Sequence, residues 1–217
     1  MSIISEEDKK TLGSAVELKL KELKHDLSTL DGWTFLKEES GIKSYSITIE
    51  GDSNLKVKGG GIIKTNKTPE QFMDWLDEQN CNAEKRKTYD PTIIFREIID
   101  RFGPDWYVFH AGMESGSMMV SNRELLGQNK RFVEGDKVYR VATSCEHESY
   151  PEVKQGFVRL ISKLNGWYAA KKGEGELEVW YVNHSDPSGY VPAWLVNTRL
   201  GTTALSVLKC KNMIENE

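Results

Sequence analysis

The segment from Ser185 to Ile214 constrains the fold more than any other, because a turn cluster there runs into a long helical pattern with one apolar face. Ser188-Gly189 closes what precedes it, and Pro192 suits the first helical turn, where its missing N–H is no loss. Beyond it, Trp194, Val196, Leu200, Ala204, Leu205, Val207 and Leu208 fall on one broad side of a helical wheel, with Arg199, Thr202, Ser206 and Lys209 opposite. A helix of this kind has one face to bury. Most of the chain before it has the composition of strands that supply such a surface.

At 217 residues, with no repeat, low-complexity tract or linker, the chain reads as one domain over 1–217. Its 29 Lys+Arg stand against 33 Asp+Glu without a basic run, which argues against a dedicated nucleic-acid binder. The acidic N-terminus lacks the basic-then-apolar layout of a secretory signal, and no apolar run is long enough to cross a bilayer. A soluble, cytoplasmic protein is the expectation. Cys81, Cys145 and Cys210 are too few and too scattered for a disulfide framework or a zinc site, and read as reduced thiols.

Taken in order, Ser5 reads as the cap of a helix opened by Glu6, Glu7 and Asp8, with Leu12, Val16, Leu20, Leu23 and Leu27 at helical spacing. Asp31-Gly32 breaks it. Strand patterns follow from Trp33, through the alternation of Tyr45, Ile47 and Ile49, to a return strand with Leu55, Val57, Gly59, Gly61 and Ile63 on one face. Gly59-Gly60-Gly61 is expected to mark a bend or bulge in a curved sheet. Thr68-Pro69-Glu70-Gln71 announces a short helix that turns Phe72, Trp75 and Leu76 inward. Strands are then expected at 92–100 and 105–113, a hairpin around Phe102-Gly103-Pro104, and at 124–132, 137–144, 156–164 and 177–183. The fold class is α+β: a helix, three strands, a short helix, many strands and one long helix.

No catalytic or cofactor motif emerges. The glycine triplet lies inside a strand pattern and lacks the Lys-Ser/Thr of a phosphate loop, and there is neither a Gly-x-Ser-x-Gly elbow nor a His-Glu-x-x-His helix. The expectation is a protein without cofactor or metal that is not an enzyme. His147, between Glu146 and Glu148 and next to Cys145, reads as part of a solvated loop rather than a metal site, and His184 with Asp186 reads as a turn or cap. His110 shares a strand face with Trp106 and Val108. It is either a core histidine with both nitrogens satisfied or a polar group inside a cavity, and the residues alone favour the first.

Two stretches, Ser121-Asn122-Arg123-Glu124-Leu125 and the turn-helix from Ser185 through Pro192-Ala-Trp-Leu-Val-Asn197, resemble signatures of the START domain. This is the lipid-transfer fold related to the steroidogenic acute regulatory and phosphatidylcholine-transfer proteins, and the order of elements matches over essentially the whole chain. The resemblance implies a helix-grip: a curved antiparallel sheet folded around a long C-terminal helix, enclosing a tunnel for one lipid. Some members carry an acid and an arginine on neighbouring tunnel strands; here those positions correspond to His110 and Asn129, so the charged pair is absent.

What the resemblance implies is a carrier that takes a lipid ligand and meets a membrane surface transiently. His110, Asn129, Trp106 and Val108 would line its site with Leu200, Ala204, Val207 and Leu208 of the last helix, while Arg123 and Trp194 would be structural. A mobile loop over 112–122 would form a gate, with Met113, Met118, Met119 and Val120 as its apolar residues. A cyclase- or hydrolase-type enzyme on the same fold, or a soluble ligand receptor, stands as the alternative.

Overall fold

The computed structural model describes residues 5–150, 153–191 and 205–216. Helix α1 (Glu6–Ser28) begins as expected: the Ser5 hydroxyl accepts the Asp8 N–H at 3.1 Å, and three acids sit at the positive end of the helix dipole. Strands β1 (Thr34–Glu39), β2 (Ile42–Ile47) and β3 (Lys56–Lys64) follow, then α2 (Pro69–Cys81), which opens with a full capping box between Thr68 and Gln71. A helix that the sequence pattern did not announce, α3 (Ala83–Tyr89), comes next, its first N–H groups held by the Asn82 side chain. Then come β4 (Ile93–Arg101), β5 (Trp106–Met113), β6 (Asn122–Glu134), β7 (Lys137–Ser144), β8 (Phe157–Arg159), β9 (Ile161–Gly173), β10 (Glu176–Asp186) and α4 (Ser206–Ile214). The expected long last helix is described over Ser206–Ile214, whereas the residues from Pro192 to Ala204, Trp194 and Leu200 among them, lie outside the described residues.

The strands form one curved ten-stranded sheet in the order β1-β2-β3-β10-β9-β7-β6-β5-β4, antiparallel except where β8 runs parallel to β6. This is the α+β helix-grip architecture. Strand alternation divides its side chains between two faces. On the outer face, Leu20 and Leu23 of α1 are packed with Tyr139, Val141, Leu164 and Val182; Gly166 makes room there, since a Cβ would lie 2.7 Å from Leu23 Cδ1. On the inner face, Phe72, Met73 and Leu76 of α2 and Val207, Leu208 and Ile214 of α4 bury Ile63, Trp167, Ala169, Val179 and Tyr181. Each fully buried Leu, Ile or Phe contributes roughly 1.5–3 kcal/mol.

Two local expectations are corrected. The β3–β10 ladder runs unbroken through Gly59, Gly60 and Gly61, and the β2–β3 ladder takes in Gly59 and Gly60 without a shift, so the triplet is not a bulge. It is a place of close approach: a Cβ on Gly60 would meet Trp180 Cδ2 at 2.2 Å, and one on Gly61 would meet the Gly41 carbonyl at 2.4 Å. The strand expected at 156–164 divides into β8 and a much longer β9, which starts at Ile161 and runs on to Gly173.

The outer face of β3 also fixes the end of α1. Lys58 Nζ donates to the carbonyls of Asp26 (2.6 Å) and Thr29 (2.7 Å) and lies 4.1 Å from the centre of the Trp33 ring, while Lys56 pairs with Asp26 at 2.8 Å. Helix-end carbonyls that have no partner within the helix are thereby satisfied. Burial pushes the Lys58 ammonium pKa down to about 8.

Candidate functional site

Register places Tyr107, Asn129, Ala142, Asn165 and Asn183 in one transverse row across β5, β6, β7, β9 and β10. The adjacent same-face row holds Arg131, Arg140, Trp167 and Tyr181, and it meets α2 through two carboxylates. Asp77 accepts from Arg140 Nη1 (2.7 Å), Arg131 Nη2 (3.0 Å) and the Tyr107 hydroxyl (3.4 Å), and Asp74 takes the other Arg131 nitrogen at 2.7 Å. Burial opposes the Arg140 charge, but Asp77 beside it prevails and holds the guanidinium pKa above its usual range.

The Tyr181 hydroxyl accepts from Asn165 Nδ2 (2.8 Å) and Asn183 Nδ2 (3.1 Å). Burial pushes its pKa up to about 12, so it is a neutral phenol at pH 7. Asn129 is 2 % exposed and its Oδ1 has no partner among the described residues. A buried carbonyl left without a donor costs about 1–3 kcal/mol, so this atom is suited to accept a hydrogen bond from a ligand. Beyond the amide row the inner face is mainly apolar, with Phe109, Ala111 and Ala142 clustered with Ile98 and Leu125 and the Arg96 guanidinium 3.9 Å over the Phe109 ring. The inner face therefore has one half filled by α2 and α4 and another suited to an apolar body, with amides along the border.

His110, Trp106 and Val108 lie on the opposite face. Their cross-strand partners are Leu126, Lys130 and Gln128, all turned toward the α1 side. Trp106 packs beside Gly13 of α1 and donates from Nε1 to Gln128 Oε1 (3.1 Å), and Gln128 Nε2 donates to the Leu12 carbonyl (3.0 Å). The expectation that His110 and Asn129 share one wall is thus corrected, because residues of opposite parity in a paired register face opposite ways. His110 takes the form of the satisfied core histidine. It is 5 % exposed, with Nδ1 3.3 Å from Glu97 Oε1, Nε2 3.2 Å from Glu124 Oε2, and the rings of Phe95 and Tyr150 each 4.9 Å away.

Glu124 is the hub beneath it. Fully buried, its carboxylate also accepts from Arg159 Nε (3.0 Å) and Nη2 (2.6 Å) and from the Lys154 N–H (3.1 Å). Burial raises its pKa, but the bonds from Arg159, Lys154 and His110 outweigh that and the net shift is downward. A carboxyl whose folded pKa lies below its unfolded one stabilises fully above about 4.5 and loses that contribution as pH falls through the folded value. Urea midpoints measured from pH 7 down to pH 3 are expected to fall, and Glu124→Gln is expected to flatten the fall while costing ~2 kcal/mol at pH 7. A variant with the wild-type slope would remove Glu124 from the acid response.

Two further histidines, His184 and His147, are buried. His184 Nε2 lies 2.9 Å from Asp52 Oδ2 rather than near Asp186, whose Oδ1 accepts the Ser188 N–H at 2.8 Å as a turn residue. His147 is buried, not solvated, and its Nδ1 accepts the Ser149 N–H at 3.2 Å.

The loop between β5 and β6 carries the apolar tip. Met113 is half-buried at the end of β5 and Val120 is buried, whereas Met118 and Met119 project fully into solvent. The base of the loop is closed on itself: the Ser115 N–H donates to Asn122 Oδ1 (3.1 Å) and the Ser115 hydroxyl to the Val120 carbonyl (2.6 Å). Arg123, 8 % exposed, donates to the carbonyls of Ser121, Pro187 (2.6 Å) and Ser188 (3.0 Å). One guanidinium thus ties the loop base to the turn before the last helix, where Tyr190 is also exposed. Val207 and Leu208 are buried in α4, while Leu200, Ala204 and Trp194 fall outside the described residues.

The START domain family model matches residues 15–213. An uncharacterized protein of Pseudomonas aeruginosa is 21% identical over 187 residues, covering 82% of this chain and 84% of its own. Human StAR-related lipid transfer protein 5 superposes with a TM-score of 0.80 at 19% identity, over 96% of this chain and 98% of that one. A fragment of a STAR-related lipid transfer protein from Xanthomonas axonopodis gives a TM-score of 0.69 at 21% identity, over 85% and 99%. These likenesses establish a common fold. No helix among the described residues is long and apolar enough to cross a membrane. With the family match spanning nearly the whole chain, from α1 to α4, the chain belongs to the START domain family, a family of lipid-binding domains.

Proposed function

We propose that the protein is a non-enzymatic carrier that holds one lipid against the apolar half of the sheet's inner face and exchanges it at membranes. The observation that carries this reading is the loop tip, where Met118 and Met119 are fully exposed while the base is fastened by Arg123 to the turn before the last helix. Solvent-exposed apolar side chains at the tip of an ordered loop are suited to an apolar environment, and methionine adapts to varied surroundings. Energetics require such a contact. Drawing a lipid through water exposes its chains at about 0.8 kcal/mol per methylene, or ~20 kcal/mol or more for two chains, so release has to occur while the protein touches a membrane. The ligand's polar end would accept or donate along the amide row, with the free Asn129 oxygen as the acceptor. The similarity to human StAR-related lipid transfer protein 5 supports the same reading.

Incubation with a cell lipid extract followed by native mass spectrometry tests the first half: one unmodified lipid per chain is expected, and a chemically altered molecule would indicate an enzyme instead. For the second half, Met118→Ser with Met119→Ser is expected to leave the melting temperature and lipid content nearly unchanged but to slow vesicle-to-vesicle transfer about tenfold. Wild-type transfer kinetics in that variant would rule out the loop as the membrane contact.

A further inference from the structure

On the α1 side of the sheet, opposite the inner face, a cleft of about 980 Å³ opens between the first turns of α1 and the segment that joins β7 to β8. Its apolar lining comes from Leu12 and Ala15 of α1, Leu126 of β6, and Leu160 and Ile161 where β9 begins. His147 lines it too, and is 7 % exposed. Its Nδ1 accepts the Ser149 N–H (3.2 Å), so the neutral ring carries its proton on Nε2, and that buried donor has no partner among the described residues. The cleft also has acids in its lining. Asp8, Glu146 and Glu148 are exposed, and none of them makes an ion pair among the described residues. Arg159, in the same lining, is already committed to Glu124 and to the Tyr150 carbonyl (3.0 Å).

A concave site of this size, with apolar walls and a few placed polar groups, has the form of a small-molecule site. We propose that it binds an amphipathic organic cation: an apolar body against Leu12, Leu126 and Ile161, a carbonyl or ether oxygen on His147 Nε2, and an ammonium group among Asp8, Glu146 and Glu148. A buried N–H without an acceptor is unfavourable, and an acceptor on the ligand relieves it. The uncompensated carboxylates set the sign of the ligand's charge, since an anion entering among them is repelled while Arg159 is held by Glu124. The sheet stands between this cleft and the inner face, so the site goes beyond the carrier reading and does not rest on it.

The full chain is titrated calorimetrically with procaine, an aromatic ester that carries a tertiary ammonium, and with benzocaine, which keeps the ring and the ester but lacks the ammonium. Saturable binding of procaine is expected, with benzocaine about fivefold weaker. Glu146→Gln with Glu148→Gln is expected to weaken procaine about fivefold, the effect of two exposed charge pairs, and to leave benzocaine unchanged. His147→Phe removes the donor and is expected to weaken both compounds about fivefold. Ala15→Trp, at an exposed position of α1, fills the cleft and is expected to abolish binding of both while the melting temperature and lipid content stay near wild type. Absence of procaine binding, or binding that Ala15→Trp leaves unchanged, overturns the site; benzocaine as tight as procaine overturns the cationic ligand. Because these titrations need no lipid, a failure of the carrier reading leaves their result readable.

Discussion

Leu208→Asp is expected to lower stability by at least about 4 kcal/mol and to abolish lipid uptake. Leu208 is 8 % exposed and belongs to the core cluster that joins α4 to α2 and the inner face of the sheet, with Val207, Ile214 and Phe72 in the same cluster. Truncating a buried leucine alone costs roughly 2–5 kcal/mol, and a carboxylate placed there adds the penalty of an unpaired polar group. The nearby Lys211 does not relieve it, since its ammonium already bonds Glu215 (2.8 Å) and the Ile62 carbonyl (3.0 Å). Against a total stability of about 5–15 kcal/mol, such a loss leaves a marginal fold. Urea denaturation measures it, with Leu208→Met as the volume-conserving control expected to lose less than about 1.5 kcal/mol. An unchanged midpoint with lipid retained would show that α4 is not needed to close the inner face.

The second large effect is at Asp77. Removing its carboxylate in Asp77→Ala leaves Arg140, 5 % exposed in the middle of the sheet, without a counter-charge, and takes the acceptor from Tyr107 and from one nitrogen of Arg131. Breaking a buried pair from one side costs about 3–5 kcal/mol, because the remaining charge is stranded. Arg131 keeps Asp74 and contributes little to the loss. Asp77→Leu combined with Arg140→Met is expected to recover most of the stability, since an apolar pair of similar volume often replaces a buried ion pair without penalty. A double variant no better than Asp77→Ala would mean that the cost lies in lost packing of α2 rather than in the stranded guanidinium. Tyr107 shares the Asn129 row, so Asp77→Ala is also expected to change which lipid is retained.

Which parts of this molecule were legible in its sequence follows from how local their causes are. The Ser5 cap and the Thr68–Gln71 capping box depend on residues three positions apart, and both formed as read. The β7 boundaries, Lys137–Ser144, match the strand expected at 137–144, and the motifs beginning at Ser121 and Ser185 carried the START resemblance that the family match bears out. The seven-residue α3 escaped notice because so short a helix shows too little periodicity, although Asn82 before Glu84 and Lys85 was a usable cap signal.

Other features arise only when distant segments meet. Gly60 and Gly61 are small because Trp180 and the Gly41 carbonyl press against them, a demand that nothing within β3 announces. His110 and Asn129 look like candidates for one wall until the β5–β6 register, pairing His110 with Leu126 and Tyr107 with Asn129, sends their side chains to opposite faces. Sequence determined the elements through caps, turns and periodicity, which are short-range; tertiary structure decided the faces and the charge partners, because a one-residue change of register inverts the first and long-range proximity sets the second.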